Sequence, residues 1–195
     1  MQYLNGAALH ALFESGYRNL KKNTDAINAL NVFPVPDGDT GTNMVMTFGG
    51  GLRSVSADMG SVDVYMQALS QGALLSARGN SGVIFSQFVS GLARGFAGCE
   101  QVDFQDFIRA FECAREDAYK AILTPTEGTI LTVIREAAAF LREQGSGYCD
   151  LRSGFEALLA QMKKTLQKTP DLLPILRESG VVDSGGAGLV CFVEG

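Results

Sequence analysis

The segment with the clearest chemical potential is NVFPVPDGDTGTNM, at residues 31–44. Its two prolines exclude it from a helix interior and from a central strand, so an ordered loop is expected. Asp37 and Asp39 stand two residues apart, and a turn at Gly38 lets both carboxylates converge on one point. Converging carboxylates repel each other unless a cation lies between them, and hard oxygen ligands suit Mg²⁺. Asp37 and Asp39 are therefore predicted metal ligands.

The next four residues, Thr40, Gly41, Thr42 and Asn43, are expected to enter a helix. They offer hydroxyls, an amide and free backbone N–H groups at a helix N-terminus, which together form an anion site. Metal ligands beside an anion site predict a metal–nucleotide site. The alternative is an Asx-turn with an N-cap, in which aspartate and glycine only shape the chain.

Three later glycine-rich segments allow the same two interpretations, at residues 78–82, 127–129 and 179–188. Asn80 or Ser81 can cap the apolar helix that follows, and the N–H groups around Gly82 can hold a phosphate. Asp183 is an acceptor suited to ribose or amino groups, and it is equally able to cap a helix. Loops of this kind that meet at one end of a helical bundle would build a site there.

Known loop motifs fit the first segment poorly. Counted from Asp37, EF-hand position 5 falls on Gly41 and position 12 on Phe48, neither of which offers the required side-chain oxygen. No GxxxxGK[ST] P-loop is present. The haloacid dehalogenase pattern matches in part, but prolines interrupt the strand that it would follow. It remains a minor alternative.

The rest of the chain shows the apolar spacing of helices, which predicts an all-α domain of about eight helices. Residues 64–76 and 82–93 are apolar nearly all round, so both helices are expected to be enclosed by neighbours. Residues 181–182 and 189–193 are ambiguous between strand and helix. Four stripes are predicted to face the core: Leu4, Ala7, Ala8, Ala11 and Leu12; Phe104, Phe107, Ile108, Phe111 and Ala114; Ile130, Ile134, Ala137 and Leu141; Phe155, Leu158, Leu159, Met162 and Leu166.

Composition narrows the class of protein. The 195 residues suit one domain, taken as residues 1–195, and the net charge of −5 without a basic stripe argues against nucleic acid as a partner. No apolar run is long enough to span a membrane, and the N-terminus lacks the early positive charge of a signal peptide. One histidine and no CxxC argue against structural zinc. Scattered thiols suit a reducing cytoplasm; they are Cys99, Cys113, Cys149 and Cys191.

Four segments together, NVFPVPDGDTGTNM, ARGNSGVIFSQF, PTEGTIL and SGVVDSGGAG, resemble the DhaL-type (Dak2) nucleotide-binding domain of dihydroxyacetone kinases. The N-terminal domain of bacterial fatty acid kinase is the closer match, and the resemblance covers essentially the whole chain. It implies a barrel of about eight antiparallel helices with ATP or ADP at one end. It also implies two Mg²⁺ ions bound by Asp37 and Asp39. The third aspartate of dihydroxyacetone kinases is absent here, and Asn31 is the nearest candidate.

The resemblance also implies the nucleotide contacts. These fall on Thr40, Gly41, Thr42, Asn43, Gly79, Asn80, Ser81, Gly82, Thr129, Ile130, Asp183, Ser184 and Gly185. It implies that a separate fatty-acid-binding protein presents the acceptor carboxylate, and that other domains of a longer parent chain take part. The abrupt apolar end at Gly195 agrees with an N-terminal fragment. A homodimer is a further possibility. Arg78 and Arg177 could offset phosphate charge, although solvated arginines are the simpler expectation.

Two other functions stay open at this stage. Some DhaL-type subunits hold ADP permanently as a phosphoryl relay cofactor, and nucleotide that survives purification would favour that role. A lipid-binding helical barrel is the weaker idea, suggested by the two helices that are apolar nearly all round.

Overall fold

The computed structural model describes residues 3–148 and 150–195. Cys149, one of the four scattered thiols, lies outside these ranges. The described residues form eleven α-helices and no strand, with one isolated bridge between Leu4 and Val102. The helices are α1 (Gly6–Lys22), α2 (Thr24–Ala29), α3 (Thr40–Leu52), α4 (Val62–Leu75), α5 (Gly79–Gly95), α6 (Phe104–Lys120), α7 (Ile130–Gln144), α8 (Leu151–Gln167), α9 (Thr169–Leu172), α10 (Pro174–Ser179) and α11 (Ser184–Glu194).

Eight of these helices have 11 or more residues, which confirms the predicted all-α barrel of about eight helices. Consecutive helices from α3 to α8 pack against each other, and α11 packs on α1, α3, α7 and α8 and so closes the ring. Because short connections make packed neighbours antiparallel, the N-termini of α3, α5, α7 and α11 share one end of the barrel. The haloacid dehalogenase alternative is wrong, because its fold needs a sheet.

Aromatic rings fill the middle of the barrel. Phe48 of α3 lies 4.6 Å from Phe192 of α11 and 5.6 Å from Phe85 of α5, measured between ring centroids. Phe13 of α1 packs on Phe48 and on Phe192 from another side. The rings occupy the interior that a lipid-binding barrel would need as a cavity, so the fold does not favour that function.

The predicted core face of α1 is wrong by about one residue, and of its helical members only Ala8 packs on the core in part. Ala7, Ala11 and Leu12 face solvent, while Leu4 precedes the helix and is buried through its bridge to Val102. The face that packs inward is Gly6, Leu9, Phe13, Gly16 and Leu20. Two of its members are glycines, which carry no apolar signal in a sequence pattern. They are needed for close approach, because a Cβ on Gly16 would lie 2.6 Å from the Phe192 carbonyl oxygen.

The other three stripes face the core as predicted, although Ile108, Phe155 and Leu159 are only partly buried. Helix α5 is enclosed as expected, apart from Val83 near its start. Helix α4 is not, since Val64, Leu74 and Leu75 are exposed. It packs on α3 and α5 and presents its remaining side outward. Residues 189–193 are helical, and residues 181–182 belong to a connection.

Candidate nucleotide and metal site

A cleft of about 440 Å³ opens at the end of the barrel where the four helix N-termini lie. That volume lies within the usual range for a small-molecule site. The cleft brings together residues from the four separated sequence segments. The predicted site residues that line it are Asn31, Asp37, Asp39, Thr40, Gly79, Asn80, Ser81, Thr129, Ile130, Asp183, Ser184 and Gly185.

The two aspartates of the first loop have free carboxylates at the cleft wall. Gly38 between them has φ of 66°, a left-handed turn that glycine adopts without steric penalty. Asp39 occupies the N-cap position of α3, yet its side chain makes no capping hydrogen bond. Within the described residues neither carboxylate forms a hydrogen bond or an ion pair. The interpretation that aspartate only caps the helix is therefore wrong for Asp39.

The N–H groups at the start of α3 are already hydrogen-bonded, contrary to expectation. The Asn31 side-chain oxygen accepts from the Thr40 N–H at 3.3 Å. The Asn28 side-chain oxygen accepts from the N–H groups of Gly41, at 2.8 Å, and Thr42, at 3.2 Å. These amides face protein acceptors, because α2 packs against the start of α3.

Three residues of this first turn lie outside the cleft lining: Gly41, Thr42 and Asn43. Gly41 serves the contact with α2, since a Cβ there would lie 2.7 Å from the Thr24 carbonyl oxygen. Asn43 is buried, and its amide nitrogen would lie 2.4 Å from a Cβ on Gly79. Direct contacts from these three residues to a nucleotide stay predictions.

Helix α5 has the open N-terminus. It begins at Gly79 with Arg78 in the N-cap position, and no described side chain caps it. The expected cap by Asn80 or Ser81 is wrong, because both lie inside the first turn. The first N–H groups of an uncapped helix lack intrahelical partners, so those of residues 79–81 lie at the cleft without an acceptor. Gly82 is buried against α3, where a Cβ would lie 2.5 Å from the Thr47 hydroxyl oxygen.

The start of α7 is held by a polar network. Thr129 caps the helix, and its hydroxyl donates to the Thr126 carbonyl at 2.7 Å. Glu127 accepts from the hydroxyls of Tyr119, at 3.0 Å, and Thr132, at 2.5 Å. It also pairs with Arg135 at 3.2 Å. The network fixes the connection that brings Thr126 and Thr129 to the cleft.

Asp183 forms part of the cleft floor between α7 and α11. Its carboxylate accepts from the Gly186 N–H at 2.6 Å, capping α11, and from the Ile130 N–H at the start of α7. Burial raises the pKa of Asp183 from 3.8 to about 6, and the two hydrogen bonds oppose that rise in part. Of the two roles expected for Asp183, the structure shows the helix cap. The neighbouring Ser184 donates to the Thr40 hydroxyl at 3.1 Å and so links α11 to α3.

Sequence reasoning missed part of the lining. The missed residues are Phe33, Pro34, Val35, Ile84, Ile122, Thr124, Thr126 and Leu131. The prolines of the first loop marked the first three as ordered, whereas Pro125, which stands between Thr124 and Thr126, is a signal that was not used. Nothing local distinguished Ile84 or Leu131 from ordinary core residues, because apolar spacing is the same for a core and for a cleft wall.

The charge of the cleft is one-sided. Among the described residues that line it, three are aspartates and none is lysine, arginine or histidine. Arg78 and Arg177 are exposed and lie outside the lining, as expected for solvated arginines. Within residues 3–148 and 150–195, no three His, Cys, Asp or Glu side chains cluster closely enough to hold a metal ion. No helix in these ranges has the length and apolar character needed to cross a membrane.

Known proteins similar to this chain match nearly all of it but are much longer than it is. Protein YloV of Bacillus subtilis is 42% identical over 193 residues, which are 98% of this chain and 35% of that protein. An uncharacterised protein of Staphylococcus haemolyticus is 40% identical over the same shares. The chain therefore spans about a third of the length of the curated relatives it matches.

A solved structure has the same fold. The dihydroxyacetone kinase of C. freundii, crystallised with AMP-PNP and Mg²⁺, superposes with a TM-score of 0.68 at 16% identity. The superposition covers 100% of this chain and 34% of that one. The sequence profile of the DAK2 domain matches residues 34–195, which include the aspartate loop and the three later glycine-rich segments. The chain belongs to the DAK2 domain family.

Proposed function

We propose that this chain is the nucleotide-binding domain of a kinase and that its cleft binds ATP with Mg²⁺. The observation that carries the proposal is that one cleft contains the Asp37 and Asp39 carboxylates, which have no partner among the described residues, and the uncapped N-terminus of α5. The first group of ligands suits a hard divalent cation and the second suits a phosphate. The domain's likeness to a kinase crystallised with AMP-PNP and Mg²⁺ supports the same proposal.

Asp37 and Asp39 are the proposed metal ligands. Their donor set fits Mg²⁺, because both carboxylates lie at the cleft wall and have no partner among residues 3–148 and 150–195. Mg²⁺ bound there would neutralise phosphate charge and would take its other ligands from phosphate and water. Two ions are proposed, because the three aspartates and a triphosphate bring much negative charge together and no lining side chain is basic.

The phosphate groups are assigned to the start of α5. The N–H groups of Gly79, Asn80 and Ser81 have no acceptor within the described residues, and the helix dipole adds a partial positive charge there. The side chains of Asn80 and Ser81 add further donors. The nucleoside is assigned to the apolar wall formed by Ile122, Ile130 and Leu131.

The acceptor is proposed to be the carboxylate of a fatty acid, presented by a separate fatty-acid-binding protein in the cytoplasm. Phosphoryl transfer depends mainly on positioning and charge neutralisation. A carboxylate is already ionised at neutral pH, so no general base is needed. This agrees with a lining that contains no histidine, lysine or cysteine among the described residues. The transfer would give an acyl phosphate and ADP.

The first test is thermal unfolding with ATP, with and without Mg²⁺, for wild type and the Asp37→Ala/Asp39→Ala double variant. Ligand at about 100 times its dissociation constant stabilises by roughly 2.7 kcal/mol. For a domain of this size that is a shift on the order of 5–11 °C. We expect the shift to require Mg²⁺ and to vanish in the double variant. No shift in nucleotide-free wild type would contradict the proposal.

A separate assay tests the proposed fatty acid acceptor and the need for other domains or a partner protein. Residues 1–195 are expected to bind Mg·ATP but to form little acyl phosphate from a fatty acid alone, because the acceptor is proposed to be presented by a separate protein. Rapid acyl phosphate formation by this domain without a partner would contradict that expectation. ADP that stays bound through purification and is phosphorylated in place would instead support a relay subunit.

A further inference from the structure

Two asparagine side chains bind the backbone on either side of the candidate metal ligands. Asn28, at the end of α2, accepts from the N–H groups of Gly41 and Thr42 and donates to the Thr42 hydroxyl at 3.0 Å. It is partly exposed and does not line the cleft. It therefore contacts the first turn of α3 from the side away from the proposed ligand.

Asn31 holds the other side of the same turn. Its side-chain oxygen accepts from the Thr40 hydroxyl at 2.8 Å and from the N–H groups of Asp39 and Thr40, both at 3.3 Å. Its side-chain nitrogen donates to the Val35 carbonyl at 2.9 Å. Asn31 is buried, with 7% of its surface exposed. The side chain thus ties both ends of the segment that contains the two aspartates.

These contacts leave Asn31 little capacity to bind a metal. A carbonyl oxygen has two lone pairs, and this one already receives three donors from the loop. A cation at the same oxygen would have to replace hydrogen bonds that fix Asp39 and Thr40. Asp37 and Asp39 have no side-chain partners within the described residues, so only the backbone sets their position.

We propose that Asn28 and Asn31 form an asparagine clamp that positions the Asp37 and Asp39 carboxylates before any ligand binds, and that Asn31 is not itself a metal ligand. The metal part rests on the proposed function, whereas the clamp is a property of the free protein. The clamp also assigns the start of α3 a structural role, whereas the first N–H groups of α5 stay free for a ligand.

Amide hydrogen exchange of the free domain tests the clamp directly. First-turn amides of a helix usually exchange fast, but here the amides of residues 39–42 are expected to be protected. Asn31→Ala should expose those of Asp39 and Thr40, and Asn28→Ala those of Gly41 and Thr42. We expect the affected pair to exchange about two- to tenfold faster, while the other pair is unchanged. Fast exchange of all four amides in wild type would overturn the proposal.

Metal dependence distinguishes a clamp from a ligand. The Mg²⁺ concentration needed for half-maximal ATP binding is compared in Asn28→Ala, Asn31→Ala and Asn31→Asp, with Asp37→Asn as the ligand control. Asn28 lies outside the cleft, so a clamp predicts that both alanine variants weaken binding alike. It also predicts that Asn31→Asp, which keeps an accepting oxygen but loses the donor to the Val35 carbonyl, needs at least the wild-type Mg²⁺ concentration.

The opposite pattern would overturn the inference: Asn28→Ala unchanged, and Asn31→Asp binding at a clearly lower Mg²⁺ concentration because a charged ligand has been added. Far-UV circular dichroism of each variant shows whether it folds. If wild type binds no Mg·ATP, the proposed function fails, and the exchange pattern still decides whether the clamp exists.

Discussion

At the scale of single residues, the cleft depends on groups whose usual roles are exchanged. Asp39 occupies the N-cap position of α3, yet its carboxylate makes no capping hydrogen bond. Asp183 lines the cleft, and its carboxylate caps α11. The difference follows from their neighbours. Asn31 supplies the acceptor at the start of α3, so Asp39 is released from that task. At α11 no such asparagine is present among the described contacts, and Asp183 serves as the cap.

Asp183 should make stability depend on pH. Its folded pKa of about 6 exceeds its ordinary 3.8, so the folded state binds the proton more tightly. This stability is fully present below pH 4 and is lost as pH rises through 6. Since one pKa unit corresponds to about 1.36 kcal/mol, the loss is on the order of 3 kcal/mol. Asp183→Asn should lack it.

The measurement is urea unfolding of wild type and Asp183→Asn from pH 4 to pH 7. As pH rises, the unfolding free energy of wild type should fall relative to that of Asp183→Asn. Asp171→Asn, at an exposed position, is the control and should follow wild type. Parallel curves for wild type and Asp183→Asn would show that Asp183 ionises normally.

Substitution of Gly79 tests the uncapped start of α5, and substitution of Gly98, beyond the other end of that helix, is the matched control. Both have positive φ, 59° and 77°, so alanine should cost each about 1–2 kcal/mol of unfolding free energy. A Cβ on Gly79 would also lie 2.4 Å from the Asn43 amide nitrogen, whereas Gly98 has open space. Gly79→Ala should therefore be the more destabilising and should weaken ATP binding. Calorimetric titration that finds equal affinity for both variants would exclude Gly79 from the site.

At the scale of elements, the cleft lies where four helix N-termini come together, and these N-termini differ in how they are capped. Helix α3 is capped by asparagines, α7 by Thr129 and α11 by Asp183, while α5 is uncapped. A cap satisfies only one or two of the first N–H groups of a helix, so the uncapped α5 offers a ligand more of them than its capped neighbours do. The connection before α7 has a further role, because its residues Thr124, Thr126 and Thr129 line the cleft.

Glu127 should therefore act on binding as well as on folding. Glu127→Gln keeps the size of the side chain but weakens its bonds to Tyr119, Thr132 and Arg135, at a cost of about 1 kcal/mol. We expect weaker Mg·ATP binding, because Thr126 and Thr129 lose their support. Glu136→Gln is the control, since Glu136 pairs with the same arginine at 3.1 Å. Equal affinities for the two variants would show that the network does not shape the cleft.

At the scale of the whole molecule, α11 joins the cleft to the core. Its first residues lie at the cleft floor, and Phe192 near its other end packs on the rings of α1, α3 and α5. The helix is therefore buried along much of its length. Ligand binding at one end and packing at the other should stabilise the same cooperative unit.

Phe192→Ala tests this unit. Removing a buried phenylalanine costs about 3–5 kcal/mol, so a large fall in the urea midpoint is expected. If the unit is cooperative, saturating Mg·ATP should restore part of that loss. Ile175→Ala, at a partly exposed position, should change the unfolding free energy by less than about 0.5 kcal/mol. A second unfolding transition in Phe192→Ala would show that α11 unfolds separately.

Features that depend on residues close together in the sequence were predicted better than features that depend on contacts between helices. The free carboxylates of the aspartate loop and the glycine-rich helix starts were apparent from spacing, because both depend on residues a few positions apart. The capped start of α3 was not, because its acceptor Asn28 comes from another helix. The core face of α1 was missed for a similar reason: its glycines are defined by what they touch, such as Phe192.

One exposed side chain offers an optical consequence. Leu123 is fully exposed, and its two neighbours in sequence line the cleft. The chain contains no tryptophan. A single indole placed at this position would be the sole long-wavelength fluorophore of the protein, located between two residues of the cleft lining. Its emission would report the arrival and departure of whatever occupies the cleft, without labelling and in real time.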